Sequence, residues 1–463
     1  MTATARLLRE HRRGTPLRIL AASGQLGYGI PEAAFERGLA RAPHFIGCDM
    51  GSIDPGPYYL GSGEMAQPAL TVRRDLALVL LAARRLDVPL LIGSAGTAGA
   101  RPHLEATLAL VREIAAEHGL AFRLASIASD VPTEAAVQAL ETGRLHPIGP
   151  MRTPTAQTVR ACSHIVAQCG CETFERALAT QPDVVVAGRA CDTAIFATLP
   201  RMLGADPALA LHLAKIVECS SLCCSPAGRD AILGTLEADH FTLDSMNPDC
   251  HATPASVAAH ALYEQADPFE VEEPDGTLDL RAAHYEAVDA HRTRVRGARF
   301  RPRAQPTLKI EGAAPLGQRV VLLAGIADPG LLAILPEALQ TVERKVRALV
   351  PGAWSVHPHA YGLGAVRPLP AGTALPAEAG LVLEFIGPEA AQVRAAAGVF
   401  KQNLLHHGYP GRVSTAGNLA FAFTPSELDA RQAYRFELYH VAAGLDPEQV
   451  FSVRCEEVGA AAP

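Results

Sequence analysis

The sequence predicts an α/β fold, a mostly parallel sheet with helices on both faces, followed by a smaller C-terminal α+β domain. Two observations carry the first part. Between residues 17 and 203, short and continuously apolar runs alternate with longer amphipathic ones, as expected of parallel strands buried on both faces and joined by crossing helices. The loops that close the apolar runs are rich in glycine, proline and acidic residues, and in such sheets ligands bind beyond the carboxyl ends of the strands. A third observation sets the boundary. The rhythm stops near residue 204, and residues 302–306 read as a linker. The expected division is therefore a loose basic leader over 1–16, an α/β domain holding a pocket over 17–304, and the C-terminal domain over 305–463.

The elements follow in order. The first strand covers 17–23, and the turn after it holds Gly24, Gly27 and Gly29 before Pro31. Proline suits the first helical position because its missing N–H would be unpaired there anyway. A helix to about residue 41 leads to a second strand over 44–48, which opens into a long acidic loop from Asp49 to Glu64. A helix over 75–86 precedes a third strand over 88–92 and the glycine loop 93–99. The next helix, 103–119, stops at Gly119, a residue that readily takes the left-handed cap. A fourth strand covers 121–127, a helix 133–143, and a fifth strand 182–187, followed by the loop 188–193 and a helix to about 203. Beyond it, 209–224 and 255–265 read as helices, 239–254 as irregular, and 292–303 as a strand with arginines on one face. The last third offers strands over 307–311, 320–326 and 381–386, and helices over 329–350 and 388–407.

Bulk properties exclude several classes. The chain of 463 residues carries a net charge of −7, which argues against a nucleic-acid partner. Its longest apolar run ends at Arg84 and Arg85, too short to cross a bilayer, so no membrane partner is expected. Ten cysteines are scattered without a disulfide framework, and the arginines near the start lack the apolar segment of a secretion signal. The expected location is the cytoplasm. No glycine turn is followed by Gly-Lys-Ser/Thr, neither Gly24-x-x-Gly27-x-Gly29 nor Gly93-x-x-Gly96-x-x-Gly99 has the dinucleotide spacing, and no Gly-x-Ser-x-Gly elbow occurs.

The chemistry then rests on the strand-end loops. Free N–H groups and the positive end of a helix suit an anion, so Gly24, Gly27, Tyr28 and Gly29 are expected to hold substrate. Ser94, Gly96 and Thr97 of the third loop would add donors to the same anion. Arg189 offers a planar fork for a carboxylate or phosphate, with Thr193 beside it. Asp49, Asp54 and Asp192 are candidate acid–base groups, and Tyr58 a candidate acid. Asp192 could instead cap the helix after it, or pair with Arg189. No metal ligand set is expected, and Mg²⁺ is the one cofactor the acidic loop could hold, through a few carboxylates and water.

Three segments resemble a known family, the acyclic terpene utilisation A (AtuA) family. They are the loop Ala187-Gly-Arg-Ala-Cys-Asp-Thr-Ala194, the segment from Ala252-Thr-Pro-Ala-Ser to Ala266-Asp-Pro268, and the tail Tyr434-Arg-Phe-Glu-Leu-Tyr-His440. The similarity covers most of 17–445. The first turn, Gly-Gln-Leu-Gly-Tyr-Gly, departs from a glycine turn ending in Asp-Arg and marks a divergent branch. The resemblance implies a catabolic protein of acids and acyl thioesters, often with a small partner subunit, in a homo- or hetero-oligomer. Combined with the loops, it predicts a lyase or hydro-lyase acting on a small anionic substrate, a carboxylic acid that loses a proton next to its carboxylate. Two alternatives stand beside it: an acyl-CoA-dependent hydratase of branched-chain or terpenoid acid catabolism, and a non-catalytic subunit or scaffold for a small partner.

Overall fold

A computed structural model describes residues 1–413 and 417–459 and divides the chain into two compact units. The first comprises Met1–Ala314 and Phe436–Pro463, the second Pro315–Arg435.

A ten-stranded sheet runs through the first unit. Five of its strands are parallel neighbours, in the order Leu17–Ser23, Phe45–Asp49, Leu90–Gly93, Val184–Ala187, Phe122–Ala128. Successive residues of a strand point to opposite faces, and both faces are buried. Leu17, Ile19 and Ala21 join one apolar layer with Phe174, Ile195 and Leu211 of the helices Cys171–Ala179, Asp192–Met202 and Pro207–Val217. Leu20 and Ala22 join the other with Phe35, Leu76 and Leu108 of the helices Glu32–Ala40, Ala69–Leu86 and Arg101–Glu117. This two-sided burial is why the strands read as continuous apolar runs. The helix Asp192–Met202 lies especially close to the sheet: a Cβ on Gly47 would stand 2.3 Å from the ring of Phe196.

The sheet is mixed, which corrects the expectation of a mostly parallel one. On one side four strands add antiparallel, Ile232–Leu236, Phe241–Ser245, Arg292–Arg296 and His284–Ala287; on the other, Ser452–Val458 pairs antiparallel with Phe122–Ala128. The hairpin 232–245 falls partly in the stretch read as irregular. Gly234, Thr235 and Thr242 break its apolar pattern, so no continuous run announces it. The leader is not loose either. Residues Ala3–Glu10 form a helix capped by Thr2, and the N–H of Ala3 donates to Asp183 Oδ1 at 2.8 Å. The arginine-rich stretch forms two short strands, Arg292–Arg296 and Arg299–Pro302, the second in a separate three-stranded sheet with Glu270–Glu273 and Gly276–Asp279.

The long strand Thr307–Ile326 begins in the first unit, where Ile310–Ala313 pairs antiparallel with His164–Ala167. Within the second unit its later residues pair with Ala379–Gly387, which in turn pairs with Ser355–Tyr361. The helices Leu335–Leu349 and Ala390–Leu405 supply the apolar faces of that unit, where Val342, Phe385 and Phe400 are buried. No helix among the described residues is long and apolar enough to cross a membrane.

Candidate active site

At the carboxyl ends of the parallel strands the first unit opens into a cleft of about 460 Å³. Ser23, Gly24, Tyr28 and Gly29 line it from the first turn, Asp49 and Asp54 from the second loop, and Arg189 and Asp192 from the loop after Val184–Ala187. Lys309, Arg229 and Tyr439 complete the walls, with Cys219, Tyr263 and Glu264.

Arg189 lies beneath the floor, 2% exposed. Its Nε and Nη2 donate to Glu311 Oε2 and Oε1 at 2.9 and 3.3 Å, and its Nη1 donates to Ser94 Oγ at 3.0 Å and to the carbonyl of Ala190 at 3.1 Å. The fork is thus engaged by the protein. The third glycine loop places it. Arg189 N–H donates to Gly99 O at 3.0 Å, and a Cβ on Gly99 would stand 2.0 Å from that nitrogen. Ser94 and Thr97 take positive φ in this loop, Thr97 Oγ1 donates to Met50 O, and Gly96 packs against His103. These residues build the support of Arg189, and none of them lines the cleft.

Asp49 and Asp192 are cleft carboxyls that each keep a buried oxygen without a hydrogen-bond partner. Asp49 is 4% exposed; its Oδ2 accepts the Gly51 N–H at 2.9 Å, while its buried Oδ1 has no hydrogen-bond partner. Burial pushes its pKa well above the usual carboxylate range and the charge of Asp192 adds to this, against the pull of Arg189. Asp192 Oδ1 is likewise buried without a hydrogen bond, and Arg189 Nη1 lies 3.7 Å away. Burial raises Asp192 too, but three cations, Arg189, Lys215 and Lys309, oppose the rise. Asp192 opens its helix without capping it: the cap residue is Cys191, which makes no side-chain cap bond.

Behind Asp192 lies a buried polar cluster. Lys215 Nζ and Glu218 Oε1 are 2.5 Å apart, and burial holds Glu218 up at about 8. Thr193 Oγ1 donates to Glu273 Oε2 at 2.7 Å, so Thr193 supports that carboxyl, whose pKa burial pushes up to about 7. The Cys191 thiol sits 3.5 Å from the same oxygen; burial and then the Glu273 charge push its pKa well above its ordinary value.

The first turn does cradle an anion, but the anion is internal. Gly27 and Gly29 N–H both donate to Asp75 Oδ2 at 2.9 Å, and Ile30 N–H to Asp75 Oδ1 at 3.0 Å. Asp75 is fully buried in the apolar stripe of the helix Ala69–Leu86. Of the residues expected to hold substrate here, Gly24, Tyr28 and Gly29 line the cleft and Gly27 does not, while the N–H groups of Gly27, Gly29 and Ile30 are spent on Asp75. Gly24 lets the turn approach Cys219, whose Cα would be 2.7 Å from an added Cβ. Tyr58 lies on the short helix Pro57–Ser62, edge to face with Tyr59, and does not line the cleft.

Two carboxylates of the acidic loop turn to partners within the loop. Asp54 accepts from the Ser52 hydroxyl, Asp49 turns to Gly51, and among the described residues no three His, Cys, Asp or Glu side chains gather to hold a metal. Sequence reasoning missed Glu311, Lys309, Arg229 and Asp75. Three of these left a signal: an aspartate at the i+3 position of an apolar helical stripe (Val72, Asp75, Leu76, Val79), and the charges 309 and 311 alternating with the buried Leu308 and Ile310.

No curated protein and no solved structure matches the chain. A family described as acyclic terpene utilisation family protein AtuA matches residues 75–227 and 246–429.

Proposed function

The chain belongs to the acyclic terpene utilisation AtuA family, which sets it in catabolism, and on that premise we propose that its cleft removes a proton next to the carboxylate of a small carboxylic acid and expels a hydroxyl, the work of a hydro-lyase. One observation carries this reading: two buried carboxyl oxygens without hydrogen-bond partners, Asp49 Oδ1 and Asp192 Oδ1, belong to side chains that line one cleft. Acid–base roles divide where environments push two titratable groups apart. Asp192, surrounded by Arg189, Lys215 and Lys309, ionises more readily and serves as the base. Asp49, whose desolvation outweighs its help, keeps its proton and serves as the acid.

Asp192 takes the α-proton. The electron pair left behind forms the double bond while Lys309 balances the charge growing on the substrate carboxylate, and the departing hydroxyl leaves as water with the Asp49 proton. Exchange with solvent then returns the proton from Asp192 and reloads Asp49. Arg189, held by Glu311 and Ser94, positions both carboxyls electrostatically without touching substrate.

The test is α-proton exchange in D2O, followed by NMR over hydroxy acids, unsaturated acids and their CoA thioesters. Asp192→Asn should lower exchange at least about tenfold. Asp49→Asn should keep exchange and lose water elimination. Exchange unchanged by Asp192→Asn would overturn the assignment. Exchange confined to thioesters would favour the acyl-CoA alternative, and a chain inert until its small partner is added would favour the scaffold.

A further inference from the structure

The cleft carries a cation for which the proton chemistry has no use. Arg229 lies on the loop leading into the strand Ile232–Leu236, and its guanidinium sits over the face of Tyr28, 4.8 Å from the ring centre. No ion pair engages it among the described residues. Lys309 enters from the other side. Its carbonyl accepts the Gln168 N–H at 2.9 Å, next to the bridge between Cys169 and Ala190 that leads to the Arg189 loop. In the sheet, three strands lie between Ile232–Leu236 and Val184–Ala187, so the two walls stand on different sides of the cleft. Asp49 ends a strand that lies between these two, and Asp192 follows Val184–Ala187 at the Lys309 side.

Each cation is aimed by an aromatic face. Lys309 Nζ sits 4.5 Å over the ring of Tyr439, as Arg229 sits over Tyr28, and an aromatic face orients a cation while leaving its charge available. Lys309 is 3.4 Å from Glu311, but that carboxylate is already shared with Arg189. Of the acids at the rim, Asp54 accepts the Ser52 hydroxyl. A monoacid held at Lys309 would leave the planar fork of Arg229 solvated and idle.

We propose that the substrate is a dicarboxylic acid. Its first carboxylate meets Lys309 beside Asp192, and its second is taken bidentately by Arg229 at the far end. This rests on the proton-abstraction reading for the placement of the first carboxylate. Because the two cations stand on separate walls, one chain length of diacid fits best.

Calorimetry on the full chain with succinate, glutarate and adipate, against butyrate, valerate and hexanoate, tests it. One diacid should bind at least about tenfold more tightly than the monoacid of equal length, and Arg229→Gln should erase that preference. Arg229 is exposed, so the variant should fold normally, which its melting temperature checks. Equal binding of diacids and monoacids, a preference that survives Arg229→Gln, binding of none of these acids, or a stronger hold on CoA or inorganic phosphate than on any diacid would each overturn the proposal. Tight diacid binding without α-proton exchange would remove the hydro-lyase reading and leave the two-ended site standing. Exchange on monoacids without diacid preference would do the reverse.

Discussion

Arg189 and Glu311 face each other through two hydrogen bonds, at 2.9 and 3.3 Å, and their side chains are 2% and 0% exposed. A pair this deeply buried is worth little compared with an apolar substitute, but it is costly to break, because the surviving charge has no water.

Glu311→Gln should therefore destabilise the protein by about 3–5 kcal/mol, read from urea unfolding. Arg189→Met combined with Glu311→Leu should recover much of that loss while abolishing the pull on Asp49. A single variant within about 1 kcal/mol of the parent would show that water reaches the pair.

Asp75 holds three backbone N–H groups of the first turn. Asp75→Asn removes the charge and turns one acceptor into a donor, so a loss of about 2–3 kcal/mol is expected. Faster limited proteolysis within 24–30 should accompany it. An unchanged cleavage pattern would mean that the turn holds itself.

Gly99 has φ +67° and backs directly onto the main chain of Arg189. Gly99→Ala should cost more than about 1–3 kcal/mol, the conformational strain alone, since the clash is with backbone that has no rotamer to change. Thermal unfolding gives the value, and full stability in this variant would contradict the close approach.

Glu273 adds a pH dependence. Burial raises its pKa from 4.5 to about 7. Between those values the folded protein keeps a proton that the unfolded chain has lost, so stability falls as pH rises through this window and levels off above it. At about 1.4 kcal/mol per pH unit, the full loss is about 3 kcal/mol. Glu273→Gln keeps an acceptor for Thr193 and should flatten this part of the curve. Asp49, Asp192 and Glu218 tilt the curve in the same direction, so the readout is the difference between parent and variant urea midpoints at about pH 5 and pH 7.5. No difference in slope would place Glu273 in water.

The parallel centre of the sheet was legible because burial on both faces leaves an unmistakable trace: Leu17–Ser23 and Val184–Ala187 have no polar face to alternate. Asp49, Asp54, Arg189 and Asp192 were placed in strand-end loops, and the fold gathers those loops around one cleft. The antiparallel flanks were not legible. The first glycine turn read as a cradle for a bound anion; the anion it holds in the fold is Asp75, 46 residues beyond Gly29 and out of reach of any local pattern. Arg229 carries no local pattern at all; only the packing of its loop beside Tyr28 gives it a place.

The strand Ser452–Val458 closes the edge of the sheet by pairing with Phe122–Ala128 along its whole length. About 320 residues separate the two partners in the chain. During translation at 5–20 residues per second, that edge waits roughly a quarter of a minute to a minute for its cover. Throughout that interval the ribosome carries a nascent domain with a row of unsatisfied amides and carbonyls, the kind of surface that recruits chaperones or another nascent copy. The same dependence makes late truncation a folding defect of the first unit: a chain stopped before Ser452 would hold every residue of the cleft and still present an open sheet edge.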